Sequence, residues 1–272
     1  MVSGAGLKAV AVAGVLCAAV GGAVIARADD PSGTAAQAGG GLAISTTTGS
    51  ADSTLLTDRP AQAGAADRFK VANNSSKPLV VTVAARPWTQ SASGAVSPNR
   101  RAKLSGVTVD AGQFTLAPGA SKDVTVTLDA VPPAGFLYGA LEVVGLPSDL
   151  DKSKGVVAGY RLVNSLRYNA ATATYGLKAG AVKVLRTGSK QTLALSVRNT
   201  GNTIAPVTGS VKLKGALGTK NGALKSTRIL PGKSVAVGLA SLSSLRAGRY
   251  TATVTLIQNK RKTTLTKQIR VR

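Results

Sequence analysis

The carboxylates are the first residues to consider for acid–base chemistry, because this chain of 272 residues contains no histidine. Glu142 is its only glutamate, and the alternation around it predicts a solvent-facing position on a strand. Asp149 and Asp151 share a loop with two lysines, which favours a solvated loop over a calcium site, since calcium takes roughly six to eight oxygen ligands. A catalytic acid pair would have to be assembled from carboxylates that are far apart in the sequence: Asp110, Asp123, Asp129 and Glu142.

Nucleophilic and metal chemistry find no support in the remaining residues. Serines are plentiful, but none stands in a Gly-x-Ser-x-Gly elbow and no histidine is present to activate one. Cys17 is the only cysteine, which excludes intramolecular disulfides and cysteine-based metal sites. The glycines form no phosphate-cradling motif ahead of a helix. We therefore predict a non-enzymatic protein with no catalytic residues, no metal and no cofactor.

The segment from Arg86 to Gln90 contains the only tryptophan, Trp88. Pro87 is expected to end the preceding strand and to place Trp88 at the start of a loop. Two interpretations stay open: an exposed platform for sugar rings or a partner side chain, and a residue of a sandwich core or lid. A basic loop follows, and the candidate binding residues of this region are Arg86, Trp88, Arg100, Arg101 and Lys103.

The excess of positive over negative charge is confined to residues 152–272. The formal net charge is +23, from 34 basic and 11 acidic residues. The last acid is Asp151, so residues 1–151 are neutral, with 11 charges of each sign, and residues 152–272 hold 23 basic residues and no acid. The excess of basic residues in 152–272 predicts contact with a polyanion. The alternative is that these residues only keep the protein soluble, with lysines that prevent pairing between strand edges. The candidate residues are Lys260, Arg261, Lys262, Arg270 and Arg272.

Short alternating segments separated by turn residues predict an all-β chain. In one of them, Val124, Val126 and Leu128 alternate with polar residues. Asn221-Gly222 predicts a hairpin turn, because both residues tolerate positive φ. The predicted strands lie at 79–83, 124–128, 136–145, 157–168, 191–198, 207–213, 234–240, 250–258 and 263–271. This density of strands favours β-sandwiches.

A repeat divides the strands into two similar sets. Pro118-Gly119 and Pro231-Gly232 each open a Pro-Gly-x-Ser turn before an alternating strand, and each follows an Asn-rich turn further upstream, at Asn73 and Asn199. Two copies of a unit of roughly 100 residues match the usual domain size. We predict an immunoglobulin-like sandwich at 61–170 and a basic immunoglobulin-like sandwich at 171–272.

The N-terminus has the pattern of a secretory signal. A single basic residue, Lys8, precedes an apolar run, and Ala26-Arg27-Ala28 matches a small-x-small cleavage site. Cys17 lies deep inside the run and follows Leu16, which argues against a lipoprotein signal. We predict a signal peptide at 1–28 and a flexible leader rich in Ala, Gly, Ser and Thr at 29–60, in which Leu42-Ala43-Ile44 could still add a first strand. The mature chain is expected to be secreted and to have no transmembrane span.

The order of Asn-rich turn, Pro-Gly-x-Ser turn, Val-x-Val strand and the glycine before Tyr138-Gly139-Ala140-Leu141 resembles secreted two-domain immunoglobulin-like surface proteins of Gram-positive bacteria. It is similar to the WxL-interacting proteins, in which a peptidoglycan-binding sandwich precedes a second sandwich that binds host or surface partners. Periplasmic pilus chaperones share the broader two-sandwich plan. The resemblance covers about 65–272 and rests on turns and strand spacing. Unlike WxL-interacting proteins, this chain is expected to have no C-terminal membrane anchor, so its mode of attachment is expected to differ.

Two functions follow as expectations. In the first, a secreted, cell-envelope binding protein uses its basic domain to contact anionic wall polymer or peptidoglycan, and its first domain as a more selective protein or glycan surface. In the alternative, a chaperone or assembly factor holds secreted or pilus-like subunits by strand-edge pairing. Another secreted protein is therefore a possible partner. No nucleic acid is expected, because secretion separates the chain from it.

Overall fold

The computed structural model describes residues 10–12, 41–46, 55–152, 157–188, 190–216 and 218–271. These residues form eighteen β-strands and one 3₁₀ turn, Leu150–Lys152. The prediction of an all-β chain with tandem sandwiches is confirmed. Within the described ranges no helix is long and apolar enough to cross a membrane.

The first eleven strands are β1 Val10–Val12, β2 Leu42–Thr46, β3 Leu55–Pro60, β4 Ala65–Asn73, β5 Leu79–Gln90, β6 Val96–Pro98, β7 Val107–Val109, β8 Gln113–Leu116, β9 Ser121–Leu128, β10 Leu137–Pro147 and β11 Val157–Asn169. The other seven are β12 Leu177–Thr187, β13 Lys190–Asn199, β14 Val207–Gly215, β15 Gly218–Thr227, β16 Ser234–Ser241, β17 Gly248–Gln258 and β18 Arg261–Val271.

The strands belong to two compact units. Of the described residues, unit 1 comprises 10–12, 41–46, 55–88 and 98–171, and unit 2 comprises 89–97 and the described residues from 172 onward. The predicted signal peptide lies outside the described residues except for β1. Of the predicted leader, only 41–46 and 55–60 are described, and both ranges contain strands.

Unit 1 is a sandwich of two sheets. One sheet has the order β1-β11-β10-β5-β6, with β3 on β11 and β8 on β5, and the other has the order β2-β4-β9-β7. The core lies between them and includes Phe69, Val81, Val124, Leu141 and Leu166, all of which are buried. Alternation explains the arrangement, because every second residue of each strand turns inward.

The segment predicted as leader contributes to this core. Leu42 and Ile44 of β2 are both 1% exposed and pack among the core residues of unit 1. β3 pairs in parallel with β11, from Leu55 to Pro60. The average composition of this segment does not predict these strands, because most of the residues around them are small and polar. Burial of two or three large apolar side chains is enough to stabilise a short strand.

Unit 2 is a second sandwich, with sheets β12-β13-β16 and β15-β14-β17-β18. Its core is aliphatic apart from Tyr250. The Tyr250 hydroxyl donates to the carbonyl of Arg246 at 3.0 Å, which satisfies the polar end of the buried ring. This bond fixes the loop that leads into β17.

Two local predictions were wrong. Asn221-Gly222 lies inside β15 and is not a turn; a Cβ on Gly222 would be 2.3 Å from the Leu239 carbonyl oxygen, so glycine is needed there for close approach to a neighbouring strand. Pro87 does not end β5, which continues to Gln90. The Pro87 carbonyl accepts from the Asn99 amide at 2.8 Å. Because the N and C=O of one strand residue point the same way, the missing N–H faces that loop and not β10.

The repeated Asn-rich turn is an asparagine-centred hydrogen-bond network. In unit 1, Asn73 is fully buried and its Nδ2 donates to the carbonyls of Lys77 at 2.8 Å and Leu116 at 3.0 Å. Its Oδ1 accepts from the Ser75 amide at 2.9 Å. Its backbone carbonyl accepts from the amide of Gly119, in the Pro-Gly turn, at 2.8 Å. One side chain thereby joins two turns that are far apart in the sequence.

Unit 2 repeats these four hydrogen bonds around Asn199. Asn199 is fully buried, and its Nδ2 donates to the carbonyls of Thr203 and Ile229, both at 2.7 Å. Its Oδ1 accepts from Gly201 at 2.9 Å, and its backbone carbonyl accepts from Gly232 at 2.9 Å. The glycines of the two Pro-Gly turns have the same φ of 74°, which favours glycine. The sequence repeat is therefore a structural repeat.

Tyr168 fixes β11 to the core of unit 1. Its ring is fully buried. Burial raises the pKa of Tyr168 to about 12, and the negative charge of Asp67 acts in the same direction. The raised pKa means that the buried site disfavours the phenolate even more than water does.

Candidate functional site

A buried carboxylate surrounded by three arginines lies on the outer face of the β11-β10-β5 sheet in unit 1. Glu142 has a side chain that is only 4% exposed. Arg161 Nε donates to its Oε1 at 2.6 Å, Arg100 Nε lies 3.2 Å from the same oxygen, and Arg86 Nε lies 3.4 Å from Oε2. We call these four residues the arginine cluster. Three guanidinium groups around one carboxylate leave two uncompensated positive charges.

Strand register explains how the cluster forms. Leu141 and Val143 turn into the core, so Glu142 between them faces outward. Ala84 of β5 and Val163 of β11 are its direct neighbours across the sheet. Arg86 is paired with Ala140 and Arg161 with Val144, which places both arginines diagonally across from Glu142 on the same face.

Arg100 reaches the carboxylate from the loop after β6. The Asn99 amide bonds to the Pro87 carbonyl, and Arg86 Nη1 donates to the Ala102 carbonyl at 3.2 Å. The loop is therefore held against β5 on both sides of Arg100. The solvent-facing position predicted for Glu142 was wrong in one respect: the residue is on the outer face, but the arginines cover it.

The arginines keep unused hydrogen-bond donors. Arg161 and Arg100 contact Glu142 through Nε, and their terminal nitrogens have no hydrogen-bond partner among the described residues. The side chains are 15% and 62% exposed, respectively. Because a guanidinium carries five N–H donors in a fixed plane, each can still bind an anion.

The predicted binding residues of unit 1 divide into two groups. The structure brings Arg86 and Arg100 together at Glu142. Arg101 and Lys103 are exposed in the loop outside the cluster, and Trp88 is half-buried on β5, two residues beyond Arg86. Trp88 belongs to neither core cluster. Sequence reasoning missed Arg161; the alternation of Tyr160, Arg161 and Leu162 places it on the outer face, but its register against β10 depends on the loop between the two strands.

Arg161 also lies on a stretch of β11 that has a described strand on only one side. On the side away from β10, β11 pairs in parallel with β1 over Val157–Gly159 and with β3 from Ser165 to Asn169. Between these, Tyr160 to Val163 has no strand neighbour within the described parts of the chain. We call this side of β11, from residue 157 to residue 163, the β11 edge. Where the backbone groups of a strand edge have no partner, they can accept a further strand.

The basic residues of unit 2 are at its surface. Every described lysine and arginine there is exposed or partly exposed. Asn259 and Lys260 have φ values of 45° and 66°, which form the tight turn between β17 and β18 and place Lys260 at its tip. Lys262 and Arg270 are exposed on β18, and Arg272 lies outside the described residues. Arg261 and Lys262 line a cleft of about 280 Å³ together with Tyr175, Thr200 and Gln258.

The carboxylates considered for catalysis or calcium binding have structural contacts instead. Asp110 Oδ1 accepts from the Thr125 amide at 2.8 Å, and Asp129 accepts from the Thr108 hydroxyl at 2.9 Å. Asp149 lies 3.5 Å from Lys77 Nζ. In the described ranges no three His, Cys, Asp or Glu side chains are grouped as a metal site would need.

Comparison with known proteins gives similarity only to solved structures. No family model matches the chain, and no curated protein matches it. A chain in a chaperone–tip adhesin complex of CFA/I fimbriae has 13% identity and a TM-score of 0.45, over 77% of this chain and 94% of that one. A chain in the CsuC–CsuE pre-assembly complex from Acinetobacter baumannii Csu pili has 13% identity and a TM-score of 0.45, over 78% and 94%.

The class 5 fimbriae chaperone CfaA has 14% identity and a TM-score of 0.44, over 82% of this chain and 98% of its own. These solved chains include pilus chaperones, whereas the resemblance to WxL-interacting proteins stays a prediction. These TM-scores are low. The function of this chain has to be inferred from its own residues.

Proposed function

We propose that the protein is a non-enzymatic assembly factor of the cell envelope that holds another secreted chain by strand pairing at the β11 edge. The observation that supports this proposal is the stretch of β11 between β1 and β3, which has no strand partner on that side among the described residues. An exposed strand edge presents a row of N–H and C=O groups that readily pair with an extended segment.

The chain's own β1 supports the proposal, because it uses this edge. Val10, Ala11 and Val12 pair in parallel with Val157, Ala158 and Gly159. The predicted signal peptide includes β1, so cleavage after Ala28 would remove that strand. The mature protein would then expose the whole β11 edge.

The side chains along the edge offer two different faces to an added strand. Leu162 turns into the core and Tyr160 packs against it, whereas Arg161 and Val163 lie on the outer face. A strand with alternating side chains therefore extends the core on one side and meets the arginine cluster on the other.

Binding of a strand peptide tests the proposal. The probe is the segment 7–16 of this chain, acetylated and amidated so that its ends carry no charge, and the protein is the processed form recovered after secretion. We expect saturable binding by fluorescence polarisation and slower hydrogen exchange of the amides at 157–163. Unprocessed full-length chain should bind the peptide more weakly, because β1 already occupies the edge.

A matched peptide with Val10→Pro and Val12→Pro is the control. Proline removes two N–H donors while keeping length and apolar character. Its affinity should be at least about ten-fold lower, since each lost hydrogen bond costs about 1 kcal/mol. Equal binding of both peptides, or no binding of the first one, would contradict strand pairing.

A second candidate function is contact with an anionic wall polymer or peptidoglycan, and the surface of unit 2 favours it. Its basic side chains lie at the surface, and residues 152–272 contain no acid to pair with them. Secretion and association with the envelope are part of both proposals. Peptidoglycan binding by the first sandwich, which the resemblance to WxL-interacting proteins implies, belongs to this candidate.

Sedimentation of the processed protein with purified cell walls tests this second candidate. Binding should weaken at least about ten-fold between roughly 50 and 300 mM NaCl, because salt screens exposed charges. A variant with Lys260→Gln, Arg261→Gln and Lys262→Gln should bind more weakly at low salt. Salt-independent binding, or none at low salt, would remove the electrostatic proposal.

A further inference from the structure

We propose that the cleft of unit 2 binds an organic phosphate that carries a free hydroxyl group. The phosphate lies against Arg261 and Lys262, and the hydroxyl donates to the side-chain oxygen of Gln258, which also lines the cleft. This inference deepens the second candidate function, because it names the chemical group that unit 2 recognises in an anionic polymer. It rests on that function only for the source of the ligand.

Gln258 carries the first step, because its side chain is buried and incompletely hydrogen-bonded. The residue is 2% exposed. Its Nε2 donates to the Ala205 carbonyl at 3.4 Å, and its Oε1 has no hydrogen-bond partner among the described residues. A buried amide oxygen without a donor costs free energy, which a ligand that donates to it recovers.

A comparison of the two sandwiches shows that the fold does not require a polar residue at this position. Gln258 follows Leu256 on the core-facing side of β17 and lies opposite Val207, the first residue of β14. In unit 1, β10 has Pro147 at the matching position, buried and opposite Leu79, the first residue of β5. The same strand thus ends in an apolar residue in one sandwich and in glutamine in the other. Gln258 is therefore a residue that the sandwich does not need for packing.

Two cations and two hydroxyl side chains complete the cleft. Arg261 Nη1 donates to the Tyr175 carbonyl at 3.4 Å, which holds the guanidinium at the cleft and leaves its other donors for a ligand. Lys262 is exposed beside it, and Thr200 and Thr263 line the same space. None of the described residues that line the cleft is acidic. A phosphate has enough acceptor oxygens to bind both cations at once.

The size of the cleft favours a small ligand or one unit of a polymer. Its volume is about 280 Å³, at the lower limit of small-molecule sites, which measure roughly 300–1,000 Å³. One wall is held by hydrogen bonds between loops: the Thr174 amide donates to Asn202 Oδ1 at 2.7 Å, and the Thr200 amide donates to the Gly176 carbonyl at 2.9 Å. This wall is therefore in place without a ligand.

Three small probes separate the contributions of the phosphate and the hydroxyl. Glycerol 3-phosphate carries both groups, propyl phosphate has the same carbon chain and phosphate without the hydroxyls, and glycerol has hydroxyls alone. In NMR titrations of the processed protein at low salt, glycerol 3-phosphate should bind about three- to ten-fold more tightly than propyl phosphate, as expected for one hydrogen bond to a buried acceptor. Glycerol should bind at least about ten-fold more weakly than either phosphate.

Protein variants locate the two contributions. Gln258→Leu should bring the ratio of the two phosphate affinities close to one and leave the affinity for propyl phosphate within about two-fold of the native value. Arg261→Gln with Lys262→Gln should lower both affinities at least about five-fold and keep their ratio. The matched control is Lys212→Gln with Lys225→Gln, which removes two charges at exposed positions outside the cleft and should change each affinity by less than about two-fold.

The outcomes distinguish this site from wall contact in general. Equal affinities of the unchanged protein for the two phosphates, no binding of either, or a preference that survives Gln258→Leu would overturn the inference. If any of these occurs while binding to cell walls remains salt-dependent, wall contact stands and the site fails. If the preference is found but cell walls are not bound, the site stands with a soluble ligand and wall contact fails.

Discussion

Replacing Glu142 with alanine is expected to lower the free energy of unfolding by about 3–5 kcal/mol, the usual cost of removing one partner from a buried ion pair. The side chains of Arg86 and Arg161 are 22% and 15% exposed, so neither can recover full hydration once the carboxylate is gone. Like charges then face each other across β10. Glu142→Gln, which keeps the shape and loses the charge, should fall between alanine and the native residue.

Urea unfolding followed by the fluorescence of Trp88 measures this effect. Trp88 is the only tryptophan in the chain and belongs to unit 1. The matched control is Asp149→Ala, which removes an exposed ion pair to Lys77 and should cost less than about 1 kcal/mol. A loss for Glu142→Ala no greater than that of the control would mean that the cluster does not stabilise the sheet.

Asn199→Ala is expected to destabilise unit 2 by about 2–4 kcal/mol, and Asn73→Ala to have a similar effect on unit 1. Each substitution removes two side-chain donors and one acceptor from a buried network. In unit 2 the carbonyls of Thr203 and Ile229 and the amide of Gly201 lose their partner together. Unsatisfied groups of this kind cost more than the hydrogen bond contributes, because they are no longer solvated.

The two asparagine variants can be read separately. Circular dichroism during urea unfolding reports Asn199→Ala, and Trp88 fluorescence reports Asn73→Ala. The matched control is Asn221→Ala at an exposed position of β15, where the change should stay within about 0.5 kcal/mol. In Asn199→Ala, the Gly232 amide should also exchange faster. An Asn199 variant as stable as the Asn221 variant would show that the Pro-Gly turn holds without the asparagine.

Local pattern predicted most of the fold. The strands at 124–128 and 157–168 follow from alternation because one face of each is buried, and the structure has them at Ser121–Leu128 and Val157–Asn169. Local pattern gave a wrong prediction where the same residues suit both a turn and a strand. Asn221-Gly222 suits a turn, but the glycine instead allows close approach to the Leu239 carbonyl.

The candidate site was predicted in part. Arg86 and Arg100 were identified from their closeness in sequence to Trp88, and the structure brings both to Glu142. Arg161 was not, because its contact with Glu142 depends on the pairing register of two strands joined by a loop. The Asn73 and Asn199 networks were visible only as Asn-rich turns, since their function depends on carbonyls that are distant in the sequence.

Because residues 152–272 contain no acidic side chain, the net charge of unit 2 is expected to be nearly independent of pH in the neutral range. Lysine and arginine side chains are ordinarily charged below about pH 9, and residues 152–272 contain neither histidine nor a side-chain carboxylate. Any change in its binding between about pH 5 and 9 would therefore come from the ligand. A phosphodiester polymer would bind equally across this range, whereas a phosphomonoester would bind more weakly as it gains a proton near pH 6. The pH dependence of binding to unit 2 would then report the protonation state of its ligand.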